Sequence, residues 1–300
     1  MFRRKKYKLS LPAAAGLPSR TLVLGERTLV MGILNVTPDS FSDGGLFFDP
    51  GAAIARALAM EKAGADLIDL GGESTRPGSH GIPAEEELRR VLPVLDGLRG
   101  KLKIPISIDT AKSQVAEAAA IAGAEILNDV TGLRGDPRIA DVARRRKLPL
   151  ILMHMRGEPR TMQKAPFARD VVRDVAAGLR RAVAAARRAG VPKSQIVLDP
   201  GIGFGKSWPQ NLELLERLPE LAKLGFPLLL GTSRKSFIGK ILGGAAKEQR
   251  AWGTAATVTA SILGGAHIVR VHDVAEMAQV AKVADAVINP ALRPAGPPPR

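Results

Sequence analysis

Cysteine is absent from the 300 residues, which excludes disulfides, thiolate metal sites and a cysteine nucleophile. The absence fits a reducing compartment, and the expected location is the cytoplasm. Aromatic residues make up only 4% of the chain, too few for the stacking platforms that hold single-stranded nucleic acid. Long apolar runs are also missing. None approaches the roughly 20 residues of a membrane span. Acidic charge is in short supply, leaving a formal net charge of +15. The excess is spread along helical stretches such as Arg144-Arg145-Arg146-Lys147 and Arg180, Arg181, Arg187 and Arg188. A spread of this kind reads as solvated faces around a small anionic substrate, with no nucleic-acid or membrane partner.

The chain has 45% hydrophobic residues and enough length for one large core, a size that single α/β barrels often reach. Arg3, Arg4, Lys5 and Lys6 resemble the basic start of a signal peptide. The stretch that follows, Leu9 to Gly16, is short and broken by Ser10 and Pro12. Residues 1–20 therefore read as a basic flexible tail, and residues 289–300 as a proline-rich one.

Between them, short apolar runs alternate with alanine-rich amphipathic runs. The predicted strands are Val30–Leu34, Leu67–Leu70, Ile104–Ile108, Glu125–Leu127, Leu148–Met153, Ile196–Leu198, Pro227–Leu230 and Ile268–Val271. Glycines at 64, 123, 190, 225 and 264–265 mark helix ends before strands. Asp49-Pro50 marks a helix start. Thr21–Leu24 and Thr28–Val30, around Gly25-Glu26, suggest a hairpin before the first barrel strand. Eight alternating units predict a TIM-type (β/α)8 barrel over 21–288, with a doubly wound open sheet as the alternative.

Polar residues follow every strand: Asn35, then Gly71-Gly72-Glu73-Ser74-Thr75-Arg76, Asp109-Thr110, Asn128-Asp129, His154, Asp199, Thr232-Ser233-Arg234-Lys235, and Arg270 with His272. In a barrel these positions converge on the face that carries the active site. Singly, Asp109, Asn128 and Asp199 read more readily as helix caps, whereas the joint pattern on every strand points to a site. Two motifs fail on inspection. Gly201-Ile-Gly203-Phe-Gly205-Lys206-Ser207 looks like a phosphate loop, but Pro200 stands where the first glycine is required. The histidines at 80, 154, 267 and 272 are too dispersed for a metal cage.

Long motifs in this chain resemble those of the dihydropteroate synthase family. Met31-Gly-Ile-Leu-Asn35-Val-Thr-Pro-Asp39-Ser40-Phe41-Ser-Asp43-Gly-Gly45 resembles the first family signature, and Asp69-Leu-Gly-Gly-Glu73-Ser-Thr75-Arg76-Pro77-Gly78 the second. Ser107-Ile-Asp109-Thr110, Asn128-Asp129-Val130, Met153-His154-Met155-Arg156-Gly157, Leu198-Asp199-Pro200-Gly201, Thr232-Ser233-Arg234-Lys235 and Arg270-Val271-His272-Asp273 follow in family order. The resemblance implies a barrel enzyme that joins 6-hydroxymethyl-7,8-dihydropterin diphosphate to 4-aminobenzoate, giving 7,8-dihydropteroate and diphosphate in folate biosynthesis. It further implies magnesium at the diphosphate and a homodimer.

Carried onto this sequence, Asp109, Asn128, Asp199 and Lys235 become the pterin-recognition set, with Met153 against the flat ring. Asn35 becomes the magnesium ligand. Arg76, Arg270 and His272 become the diphosphate clamp. Ser236, at an expected helix start, receives the aminobenzoate carboxylate. Thr75, Pro77 and Phe41 belong to closing loops, and a loop bearing Asp39 and Asp43 excludes water. Asp109, Lys235, Asn35 and Asp39 are the expected catalytic residues. The chain departs from the family pattern at Ala111, at Glu158 and in its basic N-terminal segment. Two rival readings are a pterin-binding methyltransferase module, which would not keep both the Asn35–Gly45 loop and Ser233-Arg234-Lys235, and a non-catalytic relative, which would lose a motif residue.

Overall fold

The computed structural model describes residues 4–14, 16–37, 49–74, 78–79, 81–158, 161–162 and 168–293. Asp39, Phe41, Asp43, Thr75, Arg76 and Pro77 lie outside these residues, as does the proline-rich stretch from residue 294 onward.

Two strands, β1 (Tyr7–Leu11) and β2 (Arg20–Leu24), pair antiparallel. Eight parallel strands follow: β3 (Leu29–Asn35), β4 (Leu67–Gly71), β5 (Ile106–Asp109), β6 (Ile126–Asp129), β7 (Leu150–Met153), β8 (Ile196–Asp199), β9 (Leu229–Leu230) and β10 (Ile268–Val271). Their order is β8-β7-β6-β5-β4-β3-β10-β9, and a parallel bridge between Leu198 and Leu228 joins the two edges. The sheet thus closes on itself, as the alternating pattern predicts, and the open doubly wound alternative falls away. The helices are α1 (Pro50–Lys62), α2 (Ala84–Leu98), α3 (Ser113–Ala122), α4 (Ile139–Arg146), α5 (Val171–Arg188), α6 (Trp208–Glu216), α7 (Leu218–Ala222), α8 (Ser236–Ile241), α9 (Ala251–Leu263) and α10 (Val274–Ile288). None of the described helices is long and apolar enough to cross a membrane.

Each barrel strand is buried on both faces, which explains the unbroken apolar runs. One face meets helix side chains such as Ala53, Val91, Val115 and Leu179 in the outer core layer. The other fills the barrel with Met31, Leu67, Ile126, Ile151, Val197 and Ile268. Helix ends follow the sequence signals. Asp49 accepts from the Gly51 N–H at the start of α1. Gly64, Gly123, Gly190 and Gly225 are left-handed; of the 264–265 pair only Gly265 is, at φ +105°. Helix α4 ends on left-handed Lys147, a terminator with no glycine to announce it.

A two-stranded hairpin precedes the first barrel strand as expected, but its strands are not the ones expected. Thr28–Val30 does not form a hairpin with Thr21–Leu24, because Leu29 and Val30 already belong to β3. The partner of β2 is β1, inside the segment read as a tail. Leu9 and Leu11 alternate with Lys8 and Ser10, giving a strand with one apolar face. That face, together with Leu24, plugs the end of the barrel that lies at the strand N-termini. Even Arg4 is buried, bonded to Asp285, the Thr28 hydroxyl and the Ala266 carbonyl.

Candidate active site

At the opposite, C-terminal end of the strands lies a cavity of about 400 Å³. Asn35, Asp109, Asn128, Met153, Asp199, Lys235, Ser236, Arg270 and His272 all line it. Every expected site residue within the described set is therefore brought together. The caps of the following helices lie elsewhere: Lys112 precedes α3, Arg138 precedes α4, and Ser207 caps α6 with a capping box. Asp109, Asn128 and Asp199 are thus released from capping and face the cavity.

Not every strand-end residue faces it. His154 is turned outward, its ring over Gly178 of α5, where a Cβ would come within 2.3 Å of Cδ2. Its Nε2 lies 3.5 Å from Asp174. Asp129 turns into its own loop and accepts from the N–H groups of Thr131 and Leu133.

The floor of the cavity is a buried charge network. The Arg270 guanidinium donates from Nε to Asp69 Oδ2 (2.5 Å) and from Nη2 to Asp109 Oδ2 (2.9 Å). Asn128 donates to the same Asp69 oxygen at 3.0 Å. Arg270, expected on the diphosphate alone, is thus held by two carboxylates in this structure. Burial, with the neighbouring Asp69, pushes the Asp109 carboxyl up to about 8 against the pull of Arg270. Asp69 Oδ1, Asp109 Oδ1 and Asn128 Oδ1 are buried with no hydrogen-bond partner among the described residues. A row of bare acceptors calls for a ligand that brings donors.

Across the cavity, Asp199 accepts from the Gly201 N–H at 2.7 Å, and burial raises its carboxyl to about 6. Lys235 places its ammonium 3.9 Å from the centre of the Phe204 ring. Burial and the charge of Arg270 lower that ammonium to about 8. Met153 packs with Val130, Met155, Met162 and Phe204 into an apolar wall. His272 Nδ1 meets the Ser233 hydroxyl at 2.9 Å, and burial lowers its ring to about 3, so it stays neutral. Ser236 stands exposed at the first residue of α8. Flat apolar wall, acceptor row and cations together suit a planar heterocycle with an anionic tail.

A pterin-binding enzyme family profile matches residues 31–272. A dihydropteroate synthase of Synechocystis is 53% identical over 263 residues, covering 88% of this chain and 91% of the relative. The chain belongs to the dihydropteroate synthase family. Among solved structures it is similar to the Clostridium difficile dihydropteroate synthase determined in the presence of pteroic acid, with TM-score 0.83 and 48% identity over 88% of this chain and 98% of that one. It is also similar to the Xanthomonas albilineans dihydropteroate synthase with 4-aminobenzoic acid, with TM-score 0.85 and 45% identity over 94% and 98% of the two chains. As a member of this family the chain is a transferase of folate biosynthesis built on a TIM barrel.

Asp69, in the network beneath the cavity, and Phe204, in its wall, are the unforeseen participants. Asp69 had a signal: an acid in the middle of the buried run Leu67–Leu70 is expensive unless it is paired. Phe204 stood inside the glycine motif that fails as a phosphate loop.

Proposed function

We propose that the chain condenses 6-hydroxymethyl-7,8-dihydropterin diphosphate with 4-aminobenzoate, releasing diphosphate and forming 7,8-dihydropteroate. The observation that carries this reading is the set of unpartnered acceptors at Asp109 and Asn128 opposite the cation of Lys235. A pterin edge brings N–H donors to the first and an oxygen and ring nitrogen to the second. Asp199 accepts from the amino-pyrimidine edge, and Met153 packs on the ring face. Arg270 and His272, with Arg76, hold the diphosphate. Ser236 receives the carboxylate of the amine.

In this reading the diphosphate takes the bonding pair as the C–O bond at the pterin methylene breaks. Arg270 turns from Asp109 toward the phosphate oxygens, and the Asp109 carboxyl faces the cation that develops on the pterin, a charge that favours its ionised form. The aniline nitrogen then forms the C–N bond and loses one proton, which the released diphosphate takes up. No covalent bond to the protein is needed. Asp39 belongs to the loop that keeps water from intercepting the cation.

Magnesium fits one described residue. The Asn35 carboxamide lines the cavity beside Gly71, and no cluster of three or more histidine or carboxylate groups exists among the described residues. One neutral protein oxygen, completed by substrate phosphates and water, suits this ion. When bound there, magnesium would neutralise charge on the departing diphosphate.

We further propose a homodimer, located in the cytoplasm. The dimer is supported by Trp252 on α9 and by Val283 and Val287 on the adjacent α10, large apolar side chains left exposed. Sedimentation of a single monomeric species would refute it.

The deciding experiment measures diphosphate release from the pterin diphosphate, with and without 4-aminobenzoate, together with formation of dihydropteroate. Release coupled to product is expected with folded protein and magnesium. Absence of both would refute the condensation. Methyl transfer from a methylated pterin would favour the methyltransferase reading instead.

A further inference from the structure

The glycine motif that imitates a phosphate loop has a lysine with no assigned task. Lys206 is 1% exposed, among the largest fully buried side chains of the described residues. Its Nζ donates to three backbone carbonyls: Gly201 at 2.8 Å, Phe204 at 3.0 Å and His154 at 3.2 Å. An ammonium has three donors, so all are satisfied. The polarity is the reverse of a phosphate loop. Carbonyls converge on a cation, where N–H groups would converge on an anion.

The three carbonyls come from two chain segments, one after β7 and one after β8. The second segment has almost no room to settle elsewhere. Gly201 and Gly205 are left-handed, and a Cβ on either would lie 2.0–2.1 Å from the His154 or Arg156 carbonyl. At Gly203 a Cβ would press on the Lys235 side chain at 3.1 Å. The segment's one aromatic side chain is Phe204, whose ring lies 3.9 Å from Lys235 Nζ. Lys206 itself does not line the cavity.

We propose that Lys206 is a positioning residue: it clamps the 201–204 loop against the end of β7, and so holds the Phe204 ring against Lys235 in the cavity wall. It acts through Phe204 and touches no substrate. The charged groups acting on its ammonium are Asp199 and Asp174, which favour the charged form, and Arg156 and Lys235, which oppose it. Burial outweighs them and brings it to about 7. A neutral amine has two donors for three carbonyls, so the clamp loosens as pH rises through that value.

The test is a double-mutant cycle on kcat/KM for the condensation, using Lys206→Met, Phe204→Ala and the pair, with folding checked by circular dichroism. Its assay rests on the proposed condensation, and the wild-type control separates the two claims. If wild type is inactive, that reading fails, and the cycle is run on calorimetric affinity for 6-hydroxymethylpterin. Phe204→Ala alone should lower kcat/KM about tenfold, the scale of one lost aromatic and cation–π contact. In the Lys206→Met background it should cost almost nothing more, because the ring is already misplaced. Lys206→Gln, with two donors, should recover part of the loss. Losses that multiply would overturn the proposal, since Lys206 would then act elsewhere. Failure of both Lys206 variants to fold would also overturn it, making the residue a folding determinant only.

Discussion

The barrel has a buried arginine–carboxylate cluster at each end, and the two are built on opposite principles. At the plugged end, Asp285 receives Arg4 at one oxygen together with the Thr28 hydroxyl, while its other oxygen accepts from the Thr28 N–H at 2.6 Å. Neither carboxylate oxygen of Asp285 is left bare. At the open end one guanidinium serves two carboxylates, and Asp69, Asp109 and Asn128 each keep an oxygen without a partner among the described residues. The same chemistry serves stability at one end. At the other it is left incomplete for a ligand to finish. Buried polar groups without partners are costly, and a ligand that brings the missing donors relieves that cost.

The largest test of this contrast is at the plugged end. Asp285→Asn leaves the Arg4 charge buried without its counter-ion, and should destabilise the fold by about 3–5 kcal/mol. Urea unfolding checks this. Activity per folded molecule should not change; a matching loss of kcat would show that the two ends are not separable. Lys235→Ala at the open end should do the reverse. It should lower kcat/KM by about 10²–10³-fold, as loss of a preorganised electrostatic group does, and abolish pterin binding by calorimetry, while the unfolding midpoint holds or rises. Unchanged affinity would remove Lys235 from the recognition set.

Much of this contrast could be read from the residues. Two-sided strands announce themselves as unbroken apolar runs, so the barrel was legible. Its open end was too, because Asn35, Asp109, Asn128, Asp199 and Lys235 each end or follow such a run. The plugged end was hidden. Leu9 and Leu11 alternate with polar residues over only five positions, and Arg4 looks like any solvated charge until Asp285, far along the chain, is brought beside it. His154 misled for a related reason. Periodicity places a residue at a strand end, but a glycine on a neighbouring helix, Gly178, decides which way the ring turns. Arg270 could be assigned to the cavity and still not to its two carboxylates, because pairing across a barrel is a tertiary fact.

Proton linkage sharpens the comparison further. The Asp109 carboxyl, at about 8, lies far above its unfolded value of about 4. A raised carboxyl contributes stability that is complete below its unfolded pKa and is lost as pH rises through the folded one. The open end should therefore weaken the fold between about pH 4 and 8. Asp109→Asn keeps an acceptor for Arg270 but removes one of two adjacent charges. It should abolish most activity yet raise stability above pH 8 by about 1–2 kcal/mol, the usual scale of relieving a functional site. Thermal unfolding at pH 5 and pH 8.5 checks this. The variant's advantage must grow with pH, and an advantage confined to pH 5 would reverse the assignment.

The smallest effect is expected at the plugged end and has the opposite sign in pH. His267 Nδ1 accepts from the Leu228 N–H at 3.1 Å, which leaves Nε2 to donate to the Lys5 carbonyl at 3.0 Å. Burial lowers the ring to about 4, so the fold requires it neutral. A depressed histidine contributes stability that is complete above its unfolded value of about 6.5 and is lost as pH falls through the folded one. Acid thus weakens the plugged end over the range in which it favours the open end. His267→Gln retains one donor and one acceptor, and should cost about 1 kcal/mol at pH 7, the value of one imperfect hydrogen bond. That cost should shrink between pH 6.5 and 4, because glutamine does not titrate there. His154 and His272 are also lowered by burial and remain in the variant, so the acid slope should become shallower without vanishing. Urea midpoints that fall in parallel for wild type and variant across this range would show that His267 carries no share of the acid sensitivity.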